Sequence, residues 1–415
     1  MDADTTGPTL EGVRVLDLTQ YLAGPACTRM LAEMGAEVIK VEAAPFGDPS
    51  RAFTPRRNRR AGFFVQQHRG KQSVCLDLRS DAGIAVVRAL ADEVDVVVEN
   101  FSPGVMDRKG WGYAELASTN PGLIMASVSG FGQTGPLRDK PAFDFVAQAY
   151  GGVMHMTGDP DGPPTFVGIG LADTGAGVHA FGAIGMALFH RERTGKGCHI
   201  DASMVDSLVH LHETGIYAPS ITGPFGDDPT AEPYVPMRAG RHYQPSAPGA
   251  GYRSPEGWIV VFCTQGQIDG LWRALGRPEL GDDERFRTND GRLAHRDELT
   301  ALIEDWMATF DTDAAVLAAL DAERVPCSRV LSPAEFVDEP HLVERGMIRE
   351  VVDPVAGPVT IPGFPLAFDG DRPAAAGPAP TLGQHNHQVL GGLLGYDDAR
   401  ISAMEADGVL ASKPR

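Results

Sequence analysis

VRVLDLTQYLAGPACTRMLAEMGAEVIKVE, residues 13–42, indicates the fold class of this chain. Its two apolar runs, at 13–18 and 37–42, flank a segment at 23–34 with the spacing of an amphipathic helix. The alternation continues through SVCLDL (73–78), a helical pattern (81–92), VDVVVEN (94–100) and LIMASVS (123–129). Strands separated by helices predict βαβ units around a mainly parallel sheet. Residues 1–218 are therefore predicted to form a large α/β domain.

A stretch rich in Pro and Gly follows this predicted domain. Residues 219–249 have the composition of an irregular linker. GWIVVFC (257–263) is predicted to be a strand, and helical periodicity follows, so residues 250–332 are predicted to form a smaller α+β domain. Residues 333–415 are predicted to be a return linker and a C-terminal segment that completes the large domain.

The charge balance makes nucleic acid an unfavourable partner. The 415 residues include 55 acidic and 36 basic side chains, a net charge of −19. A nucleic-acid site would need a strong local basic patch to overcome this repulsion. The densest basic island fits a small polyanionic ligand better than a duplex; it comprises Arg56, Arg57, Arg59, Arg60, Arg69 and Lys71.

Cysteine usage and the N-terminus predict a cytoplasmic protein. The five cysteines are widely spaced and form no CxxC pair, which indicates neither a disulfide framework nor a zinc ribbon. The start, MDADTTGPTLEG, is polar and acidic where a signal peptide needs a basic start and an apolar core. No stretch of about 18 apolar residues occurs, so no membrane association is expected.

Two generic motifs are present but lack the context that their chemistry needs. The glycines at 130, 132 and 135 match GxGxxG after a predicted strand, yet Pro136 and Pro141 follow where a dinucleotide site requires a helix. A loop is predicted there. The histidine pairs 210/212 and 385/387 are two residues apart, which points their side chains to different helix faces, so no metal site is expected.

Asp173 is an isolated acid in an apolar, glycine-rich segment, VGIGLADTGAGVHAFGAIGMALFHRE (167–192). One interpretation is an N-cap for a helix over 174–190. The other is a catalytic carboxylate, because a helix N-terminus stabilises an anion and offers N–H groups to a developing oxyanion. Gly175 and Gly177 would let a bulky substrate approach closely. The residue types leave both interpretations open.

Several long stretches together resemble the family III CoA-transferases of the carnitine and bile-acid-inducible type, which include formyl-CoA transferase and are related to alpha-methylacyl-CoA racemases. The stretches are LEGVRVLDLTQYLAGPACTRMLAEMGAEVIKVE (10–42), GKQSVCLDLRSDAG (70–83), VVVENFSPGVMDRKG (96–110), NPGLIMASVSGFGQTGP (120–136), DFVAQAYGGVMHMTG (144–158) and TGKGCHIDASMVDS (194–207). The resemblance implies a Rossmann-like large domain with a smaller α+β domain, in an interlocked, ring-like homodimer. It also implies acyl-CoA and carboxylic acid substrates, with no metal and no tightly bound cofactor.

The resemblance further implies that Asp173 attacks an acyl-CoA thioester, so that CoA is transferred through covalent aspartyl intermediates. Arg79, Arg108 and Lys140 suit anionic phosphate groups. The CoA contacts implied by the resemblance are Leu22, Ala23, Leu76, Asp77, Leu78, Arg79, Asn100, Phe101, Ser102, Arg108 and Lys140.

The chain departs from formyl-CoA transferase at three places. Leu22 stands where that enzyme has a glutamine, and Ala43 stands where it has an arginine. Its glycine-rich active-site loop is matched only in part by Ser246–Gly251. Formate and oxalate are therefore disfavoured as substrates.

Two alternative functions remain open from the sequence. A racemase needs an acid/base pair, and the related racemases have a histidine where this chain has Phe143. A racemase would therefore have to use Asp173 with His155. A non-catalytic acyl-CoA-binding protein would keep the CoA contacts without requiring Asp173.

Overall fold

The computed structural model describes residues 8–228, 230–375 and 377–412. Residues 1–7 of the polar N-terminal segment and Pro229 of the predicted linker lie outside the described residues. Within the described ranges, no helix has the length and apolar character needed to cross a membrane. All five cysteines are free thiols.

The chain forms two compact units. The first comprises the chain up to Val153, Val167–Glu213 and the chain from Val337 onward, and the second comprises Met154–Phe166 and Thr214–Phe336. The predicted linker at 219–249 is thus part of the second unit. Residues 154–166, from inside the predicted large domain, also belong to the second unit.

The strands, in chain order, are β1 Arg14–Asp17, β2 Glu37–Ala43, β3 Arg56–Arg57, β4 Arg60–Ala61, β5 Gln72–Leu76, β6 Val96–Glu99, β7 Ile124–Ser129, β8 Cys198–Ser203, β9 Gly249–Arg253, β10 Trp258–Phe262, β11 Cys327–Arg329, β12 Ile348–Asp353 and β13 Gly357–Pro362. The helices of the first 213 residues are α1 Ala23–Glu33, α2 Gly62–His68, α3 Asp81–Asp92, α4 Val105–Arg108, α5 Tyr113–Thr119, α6 Asp144–Tyr150, α7 Val153–Met156, α8 Leu171–Thr194 and α9 Met204–His210. The later helices are α10 Ala218–Ile221, α11 Ile268–Ala274, α12 Asn289–Ala294, α13 Arg296–Met307, α14 Asp313–Ala322, α15 Pro333–Phe336, α16 Pro340–Glu344, α17 Asn386–Leu394 and α18 Asp398–Ala406.

The first unit is built on a six-stranded sheet with the order β5-β2-β1-β6-β7-β8. Every neighbouring pair in this sheet is parallel, which confirms the predicted α/β class. Alternate residues of each strand enter separate apolar layers. Val15 and Val96 pack on the side of α1 and α8, whereas Leu16 and Val97 pack on the side of α3 and α17. Because both faces are buried, the strands are nearly continuous apolar runs.

Helices α1 and α8 pack closely on one face of the sheet. A Cβ atom added at Gly177 of α8 would lie 2.7 Å from the carbonyl oxygen of Ala23, so only glycine permits this approach. A Cβ atom at Gly170 would lie 2.7 Å from a methyl group of Leu22. The N-termini of the two helices therefore meet beyond the carboxyl end of β1.

The second unit contains the antiparallel sheet β11-β10-β9. Helices α11, α13 and α14 supply apolar side chains to its core, among them Leu271, Ile303 and Val316. Trp272 and Phe286 are almost completely buried in the same cluster. The predicted strand at 257–263 and the helical periodicity after it correspond to β10 and these helices.

Most of the basic island serves the first unit's own structure. Arg57 donates to the carbonyl oxygens of Ala356 and Pro358, and Arg60 pairs with Asp353 at 2.9 Å. Arg69 pairs with Glu33, and Lys71 pairs with Asp17 at 2.9 Å. The interpretation of the island as a ligand site is therefore wrong for these four cations, because internal carboxylates and carbonyls already bind them. Arg56 and Arg59 are exposed.

Candidate active site

A pocket of about 340 Å³ opens at the carboxyl ends of β1, β6 and β7 in the first unit. Open α/β sheets commonly bind ligands at this edge. Three loops and the start of α8 form its wall. The lining residues are Gln20, Tyr21, Leu22, Ala23, Asn100, Phe101, Ser102, Pro103, Val105, Val128, Ser129, Gly130, Arg138, Asp139, Lys140, Pro141, Ala142, Phe143, Asp173 and Met204.

The pocket brings together seven of the twelve predicted site residues. Asp173 shares it with Leu22, Ala23, Asn100, Phe101, Ser102 and Lys140. These positions are separated by up to 151 residues in the chain, so their convergence does not follow from sequence proximity. The parallel sheet causes it, because the loops after successive strands meet at one edge.

The other five predicted residues lie elsewhere in the first unit. Leu76 is fully buried in the core and offers no side-chain atom to a ligand. Asp77 and Arg79 pair with each other at 3.0 Å. Leu78 lines a separate pocket of about 30 Å³. Arg108 is exposed, and its Nη1 lies 3.0 Å from where a Cβ of Gly104 would stand.

Helix α8 begins two residues before Asp173, so the predicted cap at this position is wrong. Gly170 occupies the N-cap position and Asp173 is the third residue of the helix. The capping acceptor is instead Asp144, the first residue of α6. Its Oδ1 accepts hydrogen bonds from the backbone N–H groups of Ala172 at 2.7 Å and Asp173 at 3.1 Å. A carboxylate from another helix thus accepts hydrogen bonds from two backbone N–H groups in the first turn of α8.

The first N–H groups of α8 are all occupied. Besides the two bonds to Asp144, the N–H of Leu171 donates to Ile169 O at 2.8 Å, and that of Thr174 donates to Gly170 O at 2.9 Å. The helix N-terminus therefore has no free donor in its first four residues for a developing oxyanion. That part of the sequence-based interpretation of Asp173 is wrong.

Burial and the neighbouring charge of Asp144 raise the pKa of Asp173 to about 7. A carboxylate with a raised pKa is more basic, and therefore a stronger nucleophile, than an exposed one. The raised pKa makes Asp173 the candidate nucleophile of this pocket.

Asn100 connects two loops of the pocket. Its Oδ1 accepts from the backbone N–H of Gln20 and its Nδ2 donates to the backbone carbonyl of Gln20, both at 2.8 Å. The amide predicted to contact CoA is thus engaged at both ends with protein. Glu99 supports the same turn from below, because its Oε2 accepts from the N–H of Phe101 at 2.8 Å. Burial raises the pKa of Glu99 to about 7.

Sequence reasoning missed Asp144 and Glu99. Asp144 lies within AFDFVA, an apolar setting like that of Asp173, so the criterion that singled out Asp173 could also have found it. Glu99 follows three valines at the end of an apolar strand, and no pattern there distinguishes a buried acid from an exposed one.

Cationic and aromatic side chains occupy another part of the wall. Lys140 Nζ lies 5.4 Å from the ring centre of Phe131 and 5.6 Å from that of Tyr150. Arg138 is half-exposed, and its Nη2 lies 3.9 Å from where a Cβ of Gly104 would stand. These two cations can bind an anionic group at the pocket.

The structure also bears on the motifs that the sequence discounted. Residues 130–143 contain no helix, which confirms a loop at the GxGxxG match. Phe143 is 65% exposed and lines the pocket beside Asp173, where it supplies no proton-transfer group. His155 belongs to the second unit, where its Nε2 lies 3.1 Å from Met237 Sδ. In the described part of the chain, no three His, Cys, Asp or Glu side chains form a possible metal site.

A family model for CoA-transferase family III matches residues 10–386. The chain belongs to CoA-transferase family III. As a member, it is an enzyme that exchanges CoA between acyl-CoA thioesters and carboxylates, which confirms the resemblance found in its motifs. The pocket with Asp173 is the candidate active site of this family III CoA-transferase.

Curated relatives and a solved structure match nearly the whole transferase. The succinyl-CoA--D-citramalate CoA-transferase of Chloroflexus aurantiacus is 36% identical over 97% of this chain and 98% of its own length. The succinyl-CoA:mesaconate CoA-transferase of Haloarcula hispanica is 39% identical, covering 92% and 95%. The crystal structure of a CAIB/BAIF family protein from Brucella suis has a TM-score of 0.79 and 34% identity, covering 92% of this chain and 99% of that one.

Proposed function

We propose that this family III CoA-transferase uses Asp173 as a covalent nucleophile. The observation that carries the proposal is the position of a carboxylate with a raised pKa in the wall of the pocket where predicted CoA contacts converge. Asp139 is the other carboxylate in that wall, but its side chain is exposed and lies 3.4 Å from Arg138. Asp139 therefore lacks the half-buried setting, away from a paired cation, that raises the pKa of Asp173.

The proposed reaction consists of four exchanges. An oxygen of Asp173 attacks the thioester carbonyl, the C–S bond breaks, and CoA leaves as a thiolate with the electron pair. The thiolate attacks the aspartyl carbonyl of the resulting anhydride and releases the donor as a carboxylate. The acceptor carboxylate then attacks the aspartyl-CoA thioester, and the released thiolate finally attacks the acyl carbon of the new anhydride. Asp173 is regenerated, and each step is easier than a direct exchange.

CoA binding is assigned to the loops around the pocket. Leu22, Ala23, Phe101 and Ser102 would contact the pantetheine arm, and Lys140 would neutralise phosphate charge. Arg108 and Arg138 both approach Gly104 and could share one phosphate, because a guanidinium binds phosphate oxygens through paired N–H groups. CoA is a substrate in this scheme, and no tightly bound cofactor is required.

Succinyl-CoA is the first donor to test. The relatives from Chloroflexus aurantiacus and Haloarcula hispanica carry this donor in their names, with citramalate or mesaconate as the acceptor. The acceptor proposed for this chain is a carboxylic acid of comparable size. Leu22 and Phe143, which are apolar, would border its carbon chain.

A homodimer is proposed on the family resemblance and on one face of α8. Val178, Met186 and Phe189 are all more than half exposed on this helix. Gly182 and Gly185 lie between them, and a Cβ atom at either glycine would contact nothing within 4 Å. A second copy of the chain would cover this face, and light scattering would show a dimer mass.

The free cysteines fit the reducing environment of the cytoplasm, the proposed location.

The test of the nucleophile is the intact mass of the protein, followed by its peptide masses after digestion, once it has been incubated with succinyl-CoA and hydroxylamine. Wild type is expected to gain a hydroxamate on the peptide that contains Asp173. Asp173→Ala is expected to gain none, and Asp139→Ala, the matched pocket control, is expected to react like wild type. A hydroxamate in Asp173→Ala, or none in wild type with any of a panel of acyl-CoAs, would refute the proposal.

A further inference from the structure

Helix α6 presents a buried polar pair to the start of α8. Asp144 is 6% exposed and Gln148 is fully buried, with the buried Ala147 between them. The partners of Asp144 are uncharged: the N–H groups of Ala172 and Asp173 and the side-chain amide of Gln148. Three N–H donors make burial of this carboxylate tolerable without a cation.

Gln148 links Asp144 by hydrogen bonds to the segment that leads into α8. Its Nε2 donates to Asp144 Oδ2 at 2.6 Å and to Ile169 O at 3.3 Å. Its Oε1 accepts from the N–H of Val167 at 2.9 Å. The pair therefore fixes both the loop before α8 and the first turn that carries Asp173.

The same arrangement places a negative charge beside the proposed nucleophile. The Asp144 carboxylate is bonded to the backbone N–H of Asp173 itself. Arg138, Asp139 and Lys140 share the pocket wall with Asp173, and His179 of α8 contacts His210 of α9 at 3.0 Å. Burial and, after it, the charge of Asp144 raise the pKa of Asp173.

We propose that Asp144 is a positioning residue that also destabilises the free carboxylate of Asp173 relative to its acylated form. The inference rests on the proposed covalent function. When Asp173 attacks the thioester, its negative charge passes to the departing CoA thiolate, and the aspartyl anhydride is neutral. The repulsion from Asp144 is then relieved. Repulsion that is present in the resting state and reduced in the transition state accelerates the attack.

The experiment compares charge with shape at position 144. Asp144→Asn keeps the size and one oxygen for the two N–H groups, and it removes the charge together with the acceptor for Gln148 Nε2. Asp144→Glu keeps the charge on a longer side chain. The rate of CoA release from succinyl-CoA in a single turnover is measured across about pH 5 to 9, together with KM.

Removing the charge is expected to lower the apparent pKa of the acid limb of the pH–rate profile by about one unit. The plateau rate of CoA release is expected to fall about tenfold. KM for succinyl-CoA is expected to stay within about twofold, because Asp144 does not line the pocket. Asp144→Glu is expected to keep the acid limb near that of wild type. If Asp144→Asn does not fold, Asp144→Ser, which is smaller and also uncharged, takes its place in the same comparison.

Two results would overturn the inference. If the uncharged variant loses activity while its acid limb stays at the wild-type pH, Asp144 acts through shape alone and the covalent function stands. If wild type releases no CoA and forms no hydroxamate with any acyl-CoA of the panel at any pH, the covalent function and this inference both fail.

Discussion

Two carboxylates of the first unit, the buried Asp17 and the half-buried Asp173, have opposite environments. Asp17 accepts from Lys71 Nζ at 2.9 Å, Thr28 Oγ1 at 2.8 Å and Thr19 Oγ1 at 2.5 Å. Burial opposes its ionisation, but Lys71, Lys40 and the hydrogen bonds hold the pKa of Asp17 well below its usual range. Asp173 has an anionic neighbour and a pKa of about 7.

The difference separates a structural acid, Asp17, from the proposed nucleophile, Asp173. A carboxylate paired with a buried cation is fixed in its charged form, and its basicity is lost. A carboxylate that faces another anion retains basicity and gains when its charge is removed by reaction. Perturbed pKa values of the second kind are typical of functional sites.

The largest expected effect is a loss of stability when the ion pair between Lys71 and Asp17 is broken. Lys71→Met leaves Asp17 buried without its closest cation and is expected to lower the free energy of unfolding by roughly 3–5 kcal/mol. Urea denaturation checks this value. Arg88→Gln, which removes an exposed ion pair with Glu115, is the matched control and is expected to cost about 0–1 kcal/mol. Equal losses would show that burial of the pair contributes nothing.

A substitution at Asp173 is expected to have a smaller effect on stability, in the opposite direction. The pKa of Asp173 is higher in the folded state than in the unfolded state, so folding takes up a proton there and stability falls as the pH rises from about 4 to about 7. Asp173→Asn removes this loss. The variant is expected to match wild type near pH 4 and to exceed it by about 2–4 kcal/mol at pH 8.

The measurement is urea denaturation of wild type and Asp173→Asn at several pH values. Asp139→Asn, an exposed acid of the same pocket wall, is the control and is expected to change stability little at any pH. A constant difference between wild type and Asp173→Asn from pH 4 to 8 would contradict the raised pKa and, with it, the contrast with Asp17.

The smallest expected effect concerns the two hydrogen bonds between the Asn100 side chain and the backbone of Gln20. Asn100→Asp keeps the acceptor for the N–H of Gln20 but loses the donor to its carbonyl oxygen. The lost hydrogen bond, with a carboxylate oxygen now facing that carbonyl oxygen, is expected to raise KM for succinyl-CoA about 5- to 20-fold, with a smaller change in kcat. Steady-state kinetics check this split. A loss confined to kcat would assign Asn100 to the chemistry instead of the pocket wall.

The sequence by itself determined the layered α/β architecture and singled out Asp173 as a candidate catalytic residue. Apolar runs and helical periodicity are local properties, so the segments predicted at 23–34 and 81–92 agree closely with α1 and α3. The family resemblance rested on long linked motifs, which are specific enough to identify a family. An isolated acid in a glycine-rich apolar segment was also a visible signal.

Only the tertiary structure decided which side chains reach the pocket and what surrounds Asp173. Sequence position does not give the direction of a side chain, so Leu76, predicted as a CoA contact, lies in the core, and Asn100 bonds to Gln20. Asp144 is 29 residues before Asp173, and only the packing of α6 against α8 brings them together. The electrostatic environment of a carboxylate depends on such distant neighbours, because charge acts through space and not along the chain.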